Sequence, residues 1–420
     1  MRRGLVKVLG ILLLLSPSIA GAAFFERGEG RFLVMNEEIG YRADDATASS
    51  FEIVLADPQG WVSQKEQPLR TTNDPISIWA KFGLPAVDSV KLILIDSSAW
   101  ERAEYFVLRD GRVVDHQLQG TLVPLKERTI HIGMTPVFVH AGFIAVELLP
   151  QVHTTVIARL ATSQKYVPVD RLRFSVWDAG QVLQGERRDR MFEGIYLCVM
   201  LVLILYNLAV FVVIREPSYF YYLIMATGGV VVWSTFFGLP SEALWPNRPW
   251  WDYYAIWLAM EVSVWGVMQF VRHYFDTGKH FPRADILLNW TSYVALLLVP
   301  LTVLPTGNVI FELGLYAFFA FITVGLTVVS GVMILALRRH HPLAPHFFAA
   351  ALMSVVGEFI NMAATLDLLP ATDLTLHAGQ IGNALTGILL SMGLGLRLRH
   401  ARRGLAEKRI EDARLQSRIP

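Results

Sequence analysis

The chain has 420 residues, of which 53% are hydrophobic and only 17% charged, and its mean hydropathy is +0.42. Soluble domains usually carry about a quarter charged residues, so a wholly water-soluble enzyme is a poor reading. The net charge of +1 is not gathered into a basic folded segment, which argues against a nucleic-acid surface.

Taken in chain order, the first residues form a targeting signal. Arg2, Arg3 and Lys7 precede the apolar run Val8 to Leu15, and the small residues Ser16 to Ala23 follow. That run is too short to span a bilayer, so residues 1–23 are expected to be a cleaved signal peptide, cut after Ala20, Ala22 or Ala23. No cysteine follows these sites, so a lipid anchor there is not expected. The only cysteine, Cys198, lies in an apolar run, which leaves the exported domain to be held by its core alone.

Residues 24–185 carry 16 basic and 20 acidic side chains, the density of a folded soluble domain. Short β-branched or aromatic runs predict strands at Phe51–Leu55, Ile76–Phe82, Val90–Ile95, Tyr105–Leu108, Thr154–Leu160 and Arg171–Trp177. Arg109-Asp-Gly-Arg reads as a tight hairpin, because Asp-Gly tolerates positive φ. Helical periodicity is nearly absent, and an antiparallel β-sandwich is expected. Trp61, Trp79, Trp100, Tyr105 and Trp177 are candidate ligand-stacking rings, with Trp100 the best placed in a loop; the plainer reading puts most of them in the core. His131, His140 and His153 lack metal-ligand spacing.

From residue 186 the solvent changes. Apolar segments at 191–214, 218–239, 251–274, 285–306, 309–337, 344–367 and 375–397 predict a seven-helix membrane domain over 186–397, followed by a short helical tail, 398–420. With the first domain exported, seven crossings put the C-terminus inside. Fourteen Lys and Arg then fall in the inner connections and tail, against only Arg248 in the outer loops. Arg187, Arg188 and Arg190 run against the pattern just before the first span. Trp245, Trp250, Trp251, Tyr253 and Tyr254 suit an interfacial belt at the outer end of the third. No lysine lies between Lys165 and Lys279 or between Lys279 and Lys408, which excludes a retinal Schiff base in any span.

Ordered stretches of the chain resemble a known family, the bacterial seven-transmembrane receptors with diverse intracellular signalling modules, 7TMR-DISM. In the membrane half these are Phe192-Glu-Gly-Ile-Tyr, Leu205-Tyr-Asn-Leu, Arg215-Glu-Pro-Ser-Tyr-Phe-Tyr-Tyr, Leu244-Trp-Pro and Gly395-Leu-Arg-Leu-Arg. In the exported half, Ile78-Trp-Ala-Lys-Phe, Lys91-Leu-Ile-Leu-Ile, Val107-Leu-Arg-Asp-Gly-Arg, Val156-Ile-Ala-Arg-Leu and Ser175-Val-Trp are similar to the family's second extracellular domain. The resemblance implies an all-β jelly-roll sandwich, similar to carbohydrate-binding modules, ahead of an all-α seven-transmembrane bundle. It implies a receptor for a periplasmic small molecule or carbohydrate, in the inner membrane, with a cytoplasmic partner of cyclase, kinase or phosphatase type. Only 23 residues follow Arg397, too few for a catalytic output domain. Either the output is a separate partner or the functional product is longer. The tail suits a signalling helix or a helix on lipid headgroups, and a homodimer stays open.

Ionisable and polar groups inside spans are suspects for a relay. Glu261 lies in the third span, Glu358 and Asn361 on one face of the sixth, and His377, Gln380 and Asn383 along the seventh. They could pair across a helix interface, either as a bistable layer or as structural packing. Gly379, Gly382, Gly387, Gly393 and Gly395 would allow close approach. No catalytic, cofactor or metal motif is present, so a non-enzymatic receptor without a cofactor is expected. A permease with an accessory domain and a membrane transferase are the alternatives.

Overall fold

In the computed structural model of the chain, the described residues are 32–33, 39–44, 50–56, 60–67, 69, 76–96, 100–130, 143–162, 172, 174–303, 308–365, 368–370 and 372–416. The signal-peptide segment, His131 and His140 lie outside them.

Among the described residues, ten strands build the first domain: β1 (Phe32–Leu33), β2 (Gly40–Ala43), β3 (Val62–Ser63), β4 (Ile76–Leu84), β5 (Lys91–Asp96), β6 (Arg102–Arg109), β7 (Arg112–Gln119), β8 (Phe143–Leu148), β9 (Thr154–Thr162) and β10 (Ser175–Asp178). They form two antiparallel sheets, ordered β1-β10-β5-β8 and β3-β2-β4-β9-β6-β7. Alternation sends one face of β4, β5, β6, β8 and β9 into a shared core. Ile78, Ala80, Phe82 and Leu84 of β4 meet Ile93 and Ile95 of β5 and Ile144, Val146 and Leu148 of β8 there. The β6–β7 hairpin turns at Asp110 (φ 49°) and Gly111 (φ 75°), the positive φ pair that the sequence predicts.

The opposite face of β4 carries Trp79, covered by α1 (Phe51–Ala56). Here the strand expectation for Phe51–Leu55 fails. Phe51 and Val54 are three apart and share a helical face. Phe51 stacks on Phe106 at 4.0 Å while Ile53 and Leu55 stay exposed, a pattern of period three rather than two.

Ten further helices follow among the described residues: α2 (Ala179–Ile214), α3 (Pro217–Phe236), α4 (Leu239–Ala243), α5 (Trp251–Tyr274), α6 (Thr277–His280), α7 (Pro282–Val303), α8 (Asn308–Arg338), α9 (Ala344–Thr365), α10 (Asp373–Leu376) and α11 (Ala378–Gln416). Among the described residues, six of these contain stretches long and apolar enough to cross a membrane: α2, α3, α5, α8, α9 and α11. The expected fourth span is the 22-residue helix α7.

Of the last strand expectation, Arg171–Trp177, the described structure shows Ser175–Asp178, and the helix starts at Ala179, ahead of the expected sandwich boundary at 185. Asp178 accepts the Gln181 backbone N–H at 3.1 Å and so caps the new helix. Val182, one turn in, packs on Leu94, Phe143 and Trp177 of the four-stranded sheet. The stretch Gln184–Arg190 is polar and draws on local support. Glu186 and Arg190 supply it as an i,i+4 pair at 2.8 Å.

Two compact units result. One gathers the sandwich with Ser234–Ala255 and Ala363–Leu376; the other comprises Gly194–Trp233, Ile256–Met362 and the chain from His377.

Candidate functional site

Within the first unit, a cleft of about 430 Å³ opens where β4 and β6 begin and β9 ends. Ile76, Leu122, Val123 and Pro124 give it an aliphatic wall, and Glu101 and Arg102 put charge at its edge. Among the described residues no aromatic ring lines it. The loop that forms one wall starts at Gly120, whose φ of 139° places it beside the Glu101 carbonyl; a Cβ there would sit 2.3 Å from that oxygen. Thr121 and Leu122 N–H donate to the Trp100 and Glu101 carbonyls, each at 2.9 Å. Arg128 closes the loop by donating to the Val123 carbonyl at 3.0 Å and the Thr121 carbonyl at 3.3 Å.

The same loop reaches the connection between α3 and α5. Leu125 N–H donates to the Pro246 carbonyl at 2.9 Å. Asp252, 1% exposed, anchors that connection by accepting from Ser241 Oγ and Trp245 Nε1, both at 2.5 Å, and the Arg128 charge acts favourably on it. Arg190 forks onto Glu242 at 2.9 and 3.1 Å, and Arg188 pairs with Asp373 at 3.5 Å. Two of the three arginines that run against the charge pattern are therefore matched by carboxylates from the connections that share their unit.

In the second unit, polar contacts and close glycine crossings join the helices. Asn207 Nδ2 donates to Ser391 Oγ at 2.9 Å, Tyr222 OH to the Gly387 carbonyl at 2.9 Å, and Tyr196 OH to Asn383 Oδ1 at 3.0 Å. A Cβ on Gly382 would lie 2.5 Å from the Met353 carbonyl, and one on Gly379 2.6 Å from the Trp233 ring. Close approach is thus real at these glycines, but Gly395 has open space.

Charges of this unit cluster in the connections after α2, α5 and α8. Arg397 of α11 donates to the Glu216 carboxylate and the Ser218 hydroxyl, and lies 3.4 Å from Asp276. Arg272 forks onto Asp285 at 2.9 and 3.0 Å. Arg339 donates to the His280 carbonyl at 2.9 Å, and the His280 and His341 rings meet at 5.6 Å. Burial holds the His341 imidazole below its ordinary value of 6.5, with the His280 charge acting in the same direction and Asp276 against it. Among the described residues no group of His, Cys, Asp and Glu is arranged to hold a metal ion.

A family model described as 7TM diverse intracellular signalling matches residues 189–397, and one described as 7TMR-DISM extracellular 2 matches residues 36–171. The chain belongs to the 7TMR-DISM family. No curated protein matches it. The order of the two matches makes this 7TMR-DISM member a receptor-like membrane protein with an extracellular domain ahead of its helices.

The 7TMR-DISM sandwich corrects one expectation about its aromatic residues. Trp79, Trp100, Tyr105 and Trp177 are 1%, 3%, 0% and 4% exposed, so none offers an open stacking face. Trp100 and Tyr105 belong to the central core, Trp79 to the layer under α1 and Trp177 to the layer under α2. A large ring in a short strand stabilises the sandwich by about 1.5–3 kcal/mol when buried, and burial has won over display at all four.

Among the 7TMR-DISM helices, Glu261, Asn361, His377 and Gln380 are buried, whereas Glu358 is exposed on the surface of α9 beside Gly379. Glu358 and Asn361, three apart on α9, differ in burial, the first exposed and the second buried. His377 precedes α11 instead of lying in it, and Asn383 bonds to Tyr196 of α2. Sequence reasoning missed Arg190, Glu242, Arg397, Glu216 and Asp276 as partners. Their charges were visible, but the pairs join residues far apart in the chain.

Proposed function

We propose that the protein is a transmembrane signalling receptor whose sandwich binds a small periplasmic ligand and whose helices pass the change to a cytoplasmic partner. On this reading it sits in a bacterial inner membrane after removal of residues 1–23, with its C-terminus in the cytoplasm. The observation that carries it is the continuity of β10 and α2. A strand paired with β5 runs into a 36-residue helix without a spacer, capped by Asp178 and packed through Val182 on the same sheet. Any shift of β10 must move the start of that helix.

The cleft at Ile76, Leu122 and Val123 is the proposed ligand site, because its loop also bonds to Pro246. Carbohydrate-like ligands stay within the proposal, bound through polar edges, since among the described residues no ring lines the cleft. The output is a separate cyclase, kinase or phosphatase engaged through the α11 tail.

The test uses full-length protein in nanodiscs, screened by thermal shift against cell-wall fragments, oligosaccharides and small metabolites. A ligand specific to the folded state adds about 2.7 kcal/mol at a hundredfold excess over Kd. The expected hit is saturable and is lost in Val123→Trp, which fills the cleft. A hit that survives Val123→Trp rejects this cleft, and uptake of that compound into proteoliposomes replaces the receptor with a permease.

A further inference from the structure

We infer that the connection between α4 and α5 is a binding site for a single glycerophospholipid headgroup from the leaflet on the sandwich side. A cavity of about 410 Å³ there is walled by Leu244, Trp245, Trp250 and Trp251, with Asn247 and Arg248 at its polar edge. The rings are held in fixed attitudes. Trp245 is tied through Nε1–H to Asp252, and Trp251 stands edge-on to both Trp245 (85°) and Trp250 (78°). Backbone bonds from Arg248 N–H to Trp245 and from Trp251 N–H to Arg248, 2.9 and 3.0 Å, fix the turn.

Two features select the occupant. Leu244 is 71% exposed and Trp250 42%, a large apolar display for a polar connection, and the apolar stretch Tyr254–Tyr274 begins just beyond it. That places the cavity at the depth of headgroups, where indole rings are most at home. Arg248 is exposed, and among the described residues no acceptor pairs with its guanidinium, although it is the single Lys or Arg in the outer connections. A planar fork beside an amide suits one phosphodiester, and Leu244 and Trp250 suit the glycerol and upper acyl carbons. One cation does not suit a lipid with several phosphates. A soluble anion would use Arg248 but leave the apolar display without a role.

The test is native mass spectrometry of the full-length protein released from mild detergent. It is titrated with phosphatidylglycerol, with diacylglycerol of the same chains, and with glycerol 3-phosphate. One retained phosphatidylglycerol is expected, bound about fivefold more weakly by Arg248→Gln, with diacylglycerol held equally by both proteins. Leu244→Ser is expected to weaken the phospholipid as well, and because both side chains are exposed, unchanged melting temperatures accompany both losses. Equal phospholipid retention by wild type and both variants overturns the inference. Competition by glycerol 3-phosphate at the lipid's own concentration also overturns it, because the site then takes a soluble phosphate.

Discussion

The backbone N–H of Leu125 donates to the carbonyl of Pro246 at 2.9 Å. These two residues are far apart in sequence, one in the sandwich loop that walls the cleft and the other in the connection leading to α5. Because the bond is made by main-chain atoms, truncating either side chain would leave it in place. Its geometry depends on how the loop leaves β7.

Gly120 sets that departure, and Gly120→Ala is expected to break it. The substitution meets a carbonyl at 2.3 Å in a backbone region that other residues rarely adopt, a strain of about 1–3 kcal/mol. Hydrogen exchange should then accelerate at the Leu125 amide while the β4–β9 ladder keeps its protection. Unchanged exchange at Leu125 would show that the loop does not hold the bond.

Arg190 and Glu242 offer a cleaner electrostatic test. The pair is bidentate but the Arg190 side chain is 42% exposed, so solvent screening limits its worth to about 0.2–1 kcal/mol. Arg190→Glu alone should lower the melting temperature of the detergent-solubilised protein, and adding Glu242→Arg should recover most of the loss. A double variant no better than the single one would mean the pair contributes nothing.

The strands were legible where alternation is strong, as in β4 and β9, and the Asp110-Gly111 turn was legible because few residues tolerate its φ values. The positions of the long helices followed from hydropathy. The start of α2 did not, since Gln184–Arg190 is held by an N-cap and an ion pair instead of by apolar burial. Nor did the fate of the tryptophans. A β-strand shows which side of the sheet a ring faces, but not that α1 covers Trp79 or that α2 covers Trp177. The charge clusters at Arg190 and Arg397 were least legible of all, since each depends on which connections the fold gathers, a relation no local window contains.

Gly382 and Gly395 lie on one helix and should respond in opposite ways. Gly382→Ala drives a methyl to 2.5 Å from the Met353 carbonyl on α9; separating the helices to fit it should cost about 1–3 kcal/mol. Gly395→Ala meets nothing, and better helix propensity should leave stability unchanged or raise it by up to about 1 kcal/mol. Comparison of their melting temperatures decides whether the α9–α11 crossing is as tight as its geometry implies.

His341 predicts a pH dependence. Its folded-state pKa lies below 6.5, so the fold favours the neutral ring. The resulting stability is present above pH 6.5 and is lost as pH falls through the folded value. The ring faces His280, Asp276 and Arg397, and its Nδ1 can accept from the Leu343 N–H at 3.4 Å. Melting temperature should therefore decline between about pH 7 and 5, and His341→Gln should flatten that decline. An identical slope in the variant would assign the pH response to other groups.

Arg397 stands where α11 leaves the matched membrane region, and one guanidinium serves Glu216, Ser218 and Asp276. Its side chain is only 17% exposed, so these bonds are less screened than the Arg190 pair. Hydrogen bonds to charged groups in such settings contribute about 1.5–3 kcal/mol. Arg397→Ala should free the helix segment that follows, seen as several-fold faster hydrogen exchange over residues 398–405 while Tyr222 and Asn207 keep their partners. Arg397→Lys should behave more like alanine than like arginine, because an ammonium on a flexible stem cannot reach two connections with a planar fork. If the receptor reading holds, both variants should also lose the ligand-dependent change at the tail, since α11 would no longer be braced against the connections after α2 and α5. Slow exchange at residues 398–405 in both variants would show that the helix is held without the clamp.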